Sequence, residues 1–561
     1  MATTERRIQD HPTLQCSTLA EAFQQTAAQR PDAVALRSAD GATEITWAEY
    51  AARVERLAGG LASLGVGPGD TVAIMLLNRP EFHLVDTAAL HLGAVPFSIY
   101  NTSPREQAEY VLANAGARVL VTQCEFLPVV DGLVEHVLTV DDLPALEQRT
   151  PSDFHFERSW RAVGPEDVLT LIYTSGTTGP PKGVEITHAN MMAELRGCST
   201  VLPVQPFGRG LSFLPSAHIA DRWASHYTCS MAFGYELTCV PDPRTVAQHL
   251  PAVRPTAWGA VPRVWEKIEA ALRKAGITDP GALPEEVRAG VRARIGLDQV
   301  TWLVSGAAPI ATETLRFFMD LGLPIQELWG MSEASCCVCI NPRDDIRVGT
   351  CGPPIPGARI RLADDGELEV HGDLIMRGYR NDPDKTAEAI GPDGWLRTGD
   401  VATIDDDGYM TIIDRKKELI INAAGKNMSP ANIEQRLKAS HTLIGQAVVI
   451  GDRRPYNVAL LVLDPDVAGA FAAEHGLADG SPAAVASHPA VREAVAAAVQ
   501  EANRHLSRVE QIKRFTLLGE EWLPGGAELT PTMKLKRRPI ADKYAAEIAS
   551  MYVGEEGDAE A

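Results

Sequence analysis

The run Leu171-Ile172-Tyr173-Thr174-Ser175-Gly176-Thr177-Thr178-Gly179-Pro180-Pro181-Lys182-Gly183-Val184 leads an apolar segment into a hydroxyl- and glycine-rich loop with one lysine. Glycine lets backbone approach an oxyanion closely. Successive amides and Ser/Thr hydroxyls can then donate to its oxygens, and Lys182 adds a positive charge. The chemistry this suggests is phosphate binding. The order of residues is not the Walker A pattern, where Gly-Lys is followed by Ser or Thr. A plain surface turn is the competing reading, because Gly, Ser, Thr and Pro all favour turns.

Five further segments follow in order: Ser305-Gly306-Ala307-Ala308-Pro309, Glu327-Leu328-Trp329-Gly330-Met331-Ser332-Glu333, Gly394-Trp395-Leu396-Arg397-Thr398-Gly399-Asp400, Ile413-Asp414-Arg415-Lys416-Lys417-Glu418 and Leu529-Thr530-Pro531-Thr532-Met533-Lys534. With the first loop they resemble the ordered motifs of the adenylate-forming (AMP-binding) superfamily, over roughly residues 17 to 545. Asp414 to Pro430 and the Thr-Met-Lys ending resemble long-chain fatty acyl-CoA synthetases in particular. The resemblance implies ATP, Mg²⁺, coenzyme A and a small-molecule carboxylic acid, fatty or otherwise bulky and apolar, as cofactor and substrates. It also implies acyl-AMP formation with release of pyrophosphate, followed by transfer of the acyl group to CoA.

Residue by residue, the resemblance assigns the β- and γ-phosphates to Thr174, Ser175, Gly176, Thr177, Thr178, Gly179 and Lys182. Glu333, with the Thr174 hydroxyl, would hold Mg²⁺, a cation that takes hard oxygen ligands; a helix-start charge is the alternative for Glu333. Gly306, Ala307, Ala308, Trp329, Gly330, Met331 and Ser332 would surround AMP, with Trp329 against the adenine. Asp400 would accept from the ribose hydroxyls, assisted by Arg415, unless it is a solvated turn acid. Lys534 would be the adenylation lysine, although Lys536, Arg537 and Arg538 beside it also fit a solvated basic face. His218 would stand at the acid pocket unless it is a satisfied core histidine. Trp223, five residues on, would also line the acid pocket; some fatty-acid synthetases carry a gating Trp four residues after this His, where this chain has Arg222. Lys417 would be a hinge and Gly425 would face CoA.

Two rival readings stay open. One is an acyl-AMP ligase that loads a carrier protein; the short span from Ile355-Pro356-Gly357 to Gly366-Glu367-Leu368 leaves no room for the insertion such ligases carry. The other is an inactive regulatory homologue, against which Lys182, Glu333, Asp400, Arg415 and Lys534 all argue.

The elements that must position these residues are those of an α/β protein. Ala51–Leu64 has a helical pattern, while 70–76 and 117–122 are short apolar runs suited to buried strands. Alternation about Asp405-Asp406-Asp407-Gly408 predicts a hairpin. After it, 446–450 and 459–463 suggest strands, and 484–506 is an Ala-rich helical stretch. We therefore expect a large domain of parallel or mixed sheets with helices (1–413), a hinge (414–417), and a small mobile α+β domain (418–561) with an acidic tail at 554–561. The chain has 561 residues and a net charge of −21, which opposes nonspecific nucleic-acid binding. Nine scattered cysteines cannot all pair, so we expect a reducing, cytoplasmic setting. Cys336, Cys337 and Cys339 lack the second pair of a zinc site and fit buried apolar roles. The N-terminus has no signal-like apolar core and no apolar run is long enough to span a bilayer, which leaves peripheral membrane contact open.

Overall fold

The computed structural model describes residues 10–174, 180–421, 427–477, 479–530 and 533–552. The helix Trp47–Ser63 shows how the local sequence sets an element. Thr46 and Glu49 form a reciprocal capping box at its start, and Trp47, Tyr50, Val54, Leu57, Ala58 and Leu61 put one apolar face into the core.

A seven-stranded sheet runs in the order Gly378–Tyr379, Lys182–Thr187, Val168–Thr174, Val95–Ser98, Thr71–Met75, Val119–Thr122, His136–Thr139. Its last five strands are parallel, whereas Lys182–Thr187 is antiparallel to both neighbours. Two four-stranded sheets accompany it. One is built on Val34–Ser38 and Glu236–Cys239; the other carries Trp302–Ser305 and Gln326–Trp329 side by side and parallel. A fourth, antiparallel sheet ends on the hairpin Leu396–Ile404 and Met410–Arg415.

Beyond it, Ile444–Ile450, Asn457–Leu463 and Ile512–Leu518 form a separate three-stranded sheet. All seven residues of Asn457–Leu463 are buried. Ala459, Leu461 and Leu463 face one apolar cluster, while Val458, Leu460 and Val462 face another. This period-two alternation is that of a strand covered on both faces. The expected helix over 484–506 is broken: Pro489 ends the first piece at Ser487 and opens a second, Pro489–Arg504.

Side chains cross between the two parts. On the helix Pro262–Lys274, Arg263 pairs with Asp464 and Lys267 with Asp466 at 2.7 Å. Asp414 accepts from the Ser429 hydroxyl at 2.6 Å, so the last strand of the large part touches the cap of the helix Pro430–Ser440. No helix among the described residues is long and apolar enough to cross a membrane.

Candidate active site

Thr174 and Lys182 are direct partners across the ladder, so the loop's two ends are held side by side. The Lys182 ammonium lies 4.2 Å from the centre of the Tyr379 ring, and the Tyr379 hydroxyl donates to Glu333 Oε1 at 2.8 Å. Tyr379 thus links the lysine and the carboxylate assigned to phosphate and metal. No periodicity or spacing in the sequence marked it. Ser175, Gly176, Thr177, Thr178 and Gly179 lie outside the described residues, as does Gly425.

Glu333 is in a single 3-10 turn, Ser332–Ala334, and is nearly buried, so it is not the start of a longer helix. The turn follows the strand Gln326–Trp329. A Cβ on Gly330 would sit 1.5 Å from the Cys336 carbonyl oxygen, so only glycine fits. Ser335 and Cys336 have φ of 54° and 112°, a costly backbone for non-glycine residues. Met331 precedes the turn, and Ser332 is buried in it. Gly306, Ala307 and Ala308 follow the parallel neighbour Trp302–Ser305, with Ala307 also left-handed (φ 67°) and exposed.

The Trp329 indole N–H donates to Asp400 Oδ2 at 2.9 Å, and Arg415 Nε pairs with Asp400 Oδ1 at 2.7 Å. Asp400 and Arg415 are register partners across the hairpin, which accounts for the second contact. Burial raises the Asp400 carboxyl above its ordinary range; Arg415, Trp329 and Lys534 oppose that.

Lys534 arrives from the small part on a closed turn. Its N–H bonds the Thr530 hydroxyl at 2.9 Å, Met533 takes φ 65°, and Leu529 anchors the turn in the core. Two of the three neighbouring basic residues are otherwise occupied. Lys536 donates to the Gly526 carbonyl and Arg537 is clamped by Glu418 and Glu434, while Arg538 points into solvent. Lys534 keeps solvent contact, but the cleft walls partly strip water from its ammonium. Together with Arg415 this lowers its pKa, and Asp400, Glu333 and Glu418 counter the effect.

His218 caps the short helix Ile219–Asp221, with its Nδ1 accepting from the Ala220 N–H at 3.1 Å. Burial first, and Lys534 second, push its pKa down to about 4, so the ring is neutral near pH 7 and its one proton is on Nε2. The structure therefore brings Lys534, His218, Glu333, Asp400, Arg415 and Trp329 to one cleft. Trp223 is elsewhere in character: only 2% exposed, it is packed in the main core. Lys417 is exposed in the turn after Arg415. Cys336, Cys337 and Cys339 are buried as expected. Cys337 also meets Glu194 and Cys198, where burial raises the Glu194 carboxyl to about 8 and the Cys198 thiol donates to it at 3.0 Å.

Comparison with known proteins gives the family of the chain. The family model for the AMP-binding enzyme matches residues 23–380, and that for the AMP-binding enzyme C-terminal domain matches 417–556. A putative fatty-acid–CoA ligase, fadD11, from Mycobacterium tuberculosis is 52% identical over 438 residues, covering 72% of this chain and 76% of that protein. The long-chain-fatty-acid–CoA ligase FadD15 of Mycobacterium bovis is 35% identical, covering 91% and 92%. The fold is shared with the anthranilate CoA ligase AuaEII in complex with anthranoyl-AMP, at 20% identity, 95% and 98% coverage and a TM-score of 0.75. With both models matched in order along one chain, and with relatives this similar over most of its length, the protein belongs to the AMP-binding enzyme family.

Proposed function

We propose that the protein is an ATP-dependent acid–CoA ligase acting on a fatty or similarly bulky apolar carboxylic acid. The observation that carries this reading is the meeting of Lys534, from the small part, with Asp400, Arg415, Glu333 and His218 of the large part. The names of the similar proteins, fatty-acid–CoA ligases, support both the acid class and the acceptor.

In the first half-reaction a carboxylate oxygen attacks the α-phosphorus, and the bond to the β-phosphate oxygen breaks, so that pyrophosphate leaves with the electron pair. Two anions approach each other, and preorganised donors are most effective where that charge develops. Lys534 neutralises charge between the carboxylate and the α-phosphate. Lys182 and the segment from Thr174 hold the leaving phosphates. Trp329, Gly306, Ala307 and Ala308 border the adenine, and Asp400 accepts from the ribose hydroxyls with Arg415 behind it. His218 offers its Nε2–H to the acid.

Glu333 fits Mg²⁺: Tyr379 engages one of its carboxylate oxygens, and the second, with the Thr174 hydroxyl, would supply the hard oxygen ligands that hold the ion. When bound, the ion supplies charge neutralisation on the phosphates. In the second half-reaction the CoA sulfur attacks the acyl carbonyl carbon, its proton goes to solvent, and AMP leaves. A turn of the small part about Lys417 removes Lys534 from the path and presents Gly425 to the pantetheine arm.

The test is product analysis with acid, ATP and CoA across fatty, aryl and polycyclic acids. Equal amounts of acyl-CoA and AMP are expected. Acyl-AMP that ignores CoA but is captured by an added carrier protein moves the chain to the carrier-loading class. Absence of pyrophosphate release with every acid overturns the enzymatic reading.

A further inference from the structure

Arg222, Asp86 and Tyr227 are fully buried, and Ser98 and Ser216 are nearly so. It opens the π-helical segment Arg222–Ala232, and its guanidinium is used on all sides. Nη1 reaches Asp86 Oδ2 at 2.5 Å and the Tyr227 hydroxyl at 3.0 Å; Nε donates to the Ser216 carbonyl at 3.0 Å, and Nη2 to the Ser98 hydroxyl at 3.1 Å. The Ser216 hydroxyl in turn donates to Ser98 at 3.2 Å.

Asp86 has a second partner. Its Oδ1 accepts from His226 Nε2 at 3.0 Å, and His226 Nδ1 meets His83 Nδ1 at 2.9 Å. A carboxylate only accepts, so His226 carries its proton on Nε2, and its Nδ1 then accepts from His83. Burial holds both rings below the ordinary histidine range, so they are neutral and the Arg222–Asp86 pair stands as one compensated charge pair in the core.

This pair is joined to the reacting end of the cleft. Ser216 lies inside the turn that carries His218: the His218 N–H bonds the Pro215 carbonyl at 2.9 Å, and the imidazole is then oriented by the Ala220 N–H. Ser98 ends the strand Val95–Ser98 of the seven-stranded sheet. Arg222 therefore ties the His218 turn to the sheet through Ser98 and to the helix Pro80–His91 through Asp86. Arginine presents its donors in a rigid planar fork, so holding several acceptors at once fixes their relative positions.

We infer that Arg222 is a positioning residue for His218, a fixed strut that sets where the imidazole meets the acid, rather than a side chain that swings to admit it. The inference rests on the reading of His218 as the acid-facing group. The test compares Arg222→Lys, which keeps the charge opposite Asp86 but cannot hold the fork of acceptors, with Ser98→Ala, which removes one anchor. His218→Ala and the Arg222→Lys/His218→Ala double variant complete a cycle, read by ATP–pyrophosphate exchange.

Loss of a charge-assisted contact corresponds to a change on the order of tenfold. We expect kcat/KM for the acid to fall by about that factor in Arg222→Lys and somewhat less in Ser98→Ala. KM for ATP should stay within about twofold, since the phosphate and ribose contacts are untouched. In the His218→Ala background, Arg222→Lys should have little further effect, because the residue acts through the ring already removed. If Arg222→Lys does not fold, Ser98→Ala and its own cycle with His218→Ala decide. Additive losses, equal losses for acid and ATP, or wild-type kinetics in both strut variants overturn the inference. A His218→Ala enzyme with unchanged acid kinetics instead overturns the His218 reading on which it stands.

Discussion

Trp329→Phe separates two functions that one side chain combines. The phenyl ring keeps an aromatic face for the adenine but deletes the indole N–H that donates to Asp400 at 2.9 Å. Both partners are almost fully enclosed, Trp329 being 8% and Asp400 5% exposed, so water does not readily replace the lost donor. A hydrogen bond to a charged group contributes roughly 1.5–3 kcal/mol. At 1.4 kcal/mol per factor of ten, that is a change of about ten- to 150-fold. Arg415 continues to hold the other oxygen, so the lower end is expected. The predicted result in pyrophosphate exchange is a KM for ATP raised about tenfold, with the KM for the acid unchanged.

The same substitution has a pH signature. Burial already raises the Asp400 pKa, and the indole N–H is among the groups that favour its ionised form. Removing it raises the pKa further. The ionised acceptor is lost as pH falls through that pKa, so the acid limb of activity should move to higher pH. Unchanged ATP affinity together with an unmoved acid limb would refute the assignment of the Trp329–Asp400 contact to nucleotide binding.

Glu333→Ala is expected to slow adenylation by roughly 10²–10³ and to flatten the response to Mg²⁺; a normal Mg²⁺ titration removes the metal role. Lys182→Ala should mainly raise the ATP requirement, measured by the same exchange assay. Lys534→Ala should abolish acyl-AMP formation while still converting supplied acyl-AMP to acyl-CoA. Lys417→Pro, which restricts backbone rotation there, should show the reverse pattern; equal loss of both half-reactions in both variants refutes the domain rotation.

Elements written in local sequence were legible. The turn Asp405–Gly408 forms because the Asp405 carboxylate takes the Asp407 and Tyr409 N–H groups and Gly408 adopts φ 86°. The helix expected from Ala51 starts at Trp47, directly after the N-cap Thr46, which forms a capping box with Glu49. The residues that meet around Lys534 were named from motif resemblance alone; no periodicity or spacing marks them. What escaped was contact between distant segments. Tyr379 joins Lys182 to Glu333 from a third segment, and Arg222 finds Asp86 136 residues away. Nor could charge counting tell Lys534 from Lys536 and Arg537; the partners Gly526, Glu418 and Glu434 do so only once folded.

The cross-domain pairs of Arg263 with Asp464 and Lys267 with Asp466 bear on modular engineering. Asp464 does double duty, because it also caps the helix Pro465–Glu474 through the Asp466 and Val467 amides. A small domain transplanted from a relative would bring its own helix cap, but would match this large domain only if that cap were a carboxylate; serine or threonine would cap the helix equally well and leave Arg263 facing a neutral group. Arg263 and Lys267 come with this large domain, so a graft that lacks the matching acids needs carboxylates restored at positions 464 and 466, and a third pair, Arg436 of the small part with Glu313 of the large part at 3.8 Å, sets a further condition on the graft.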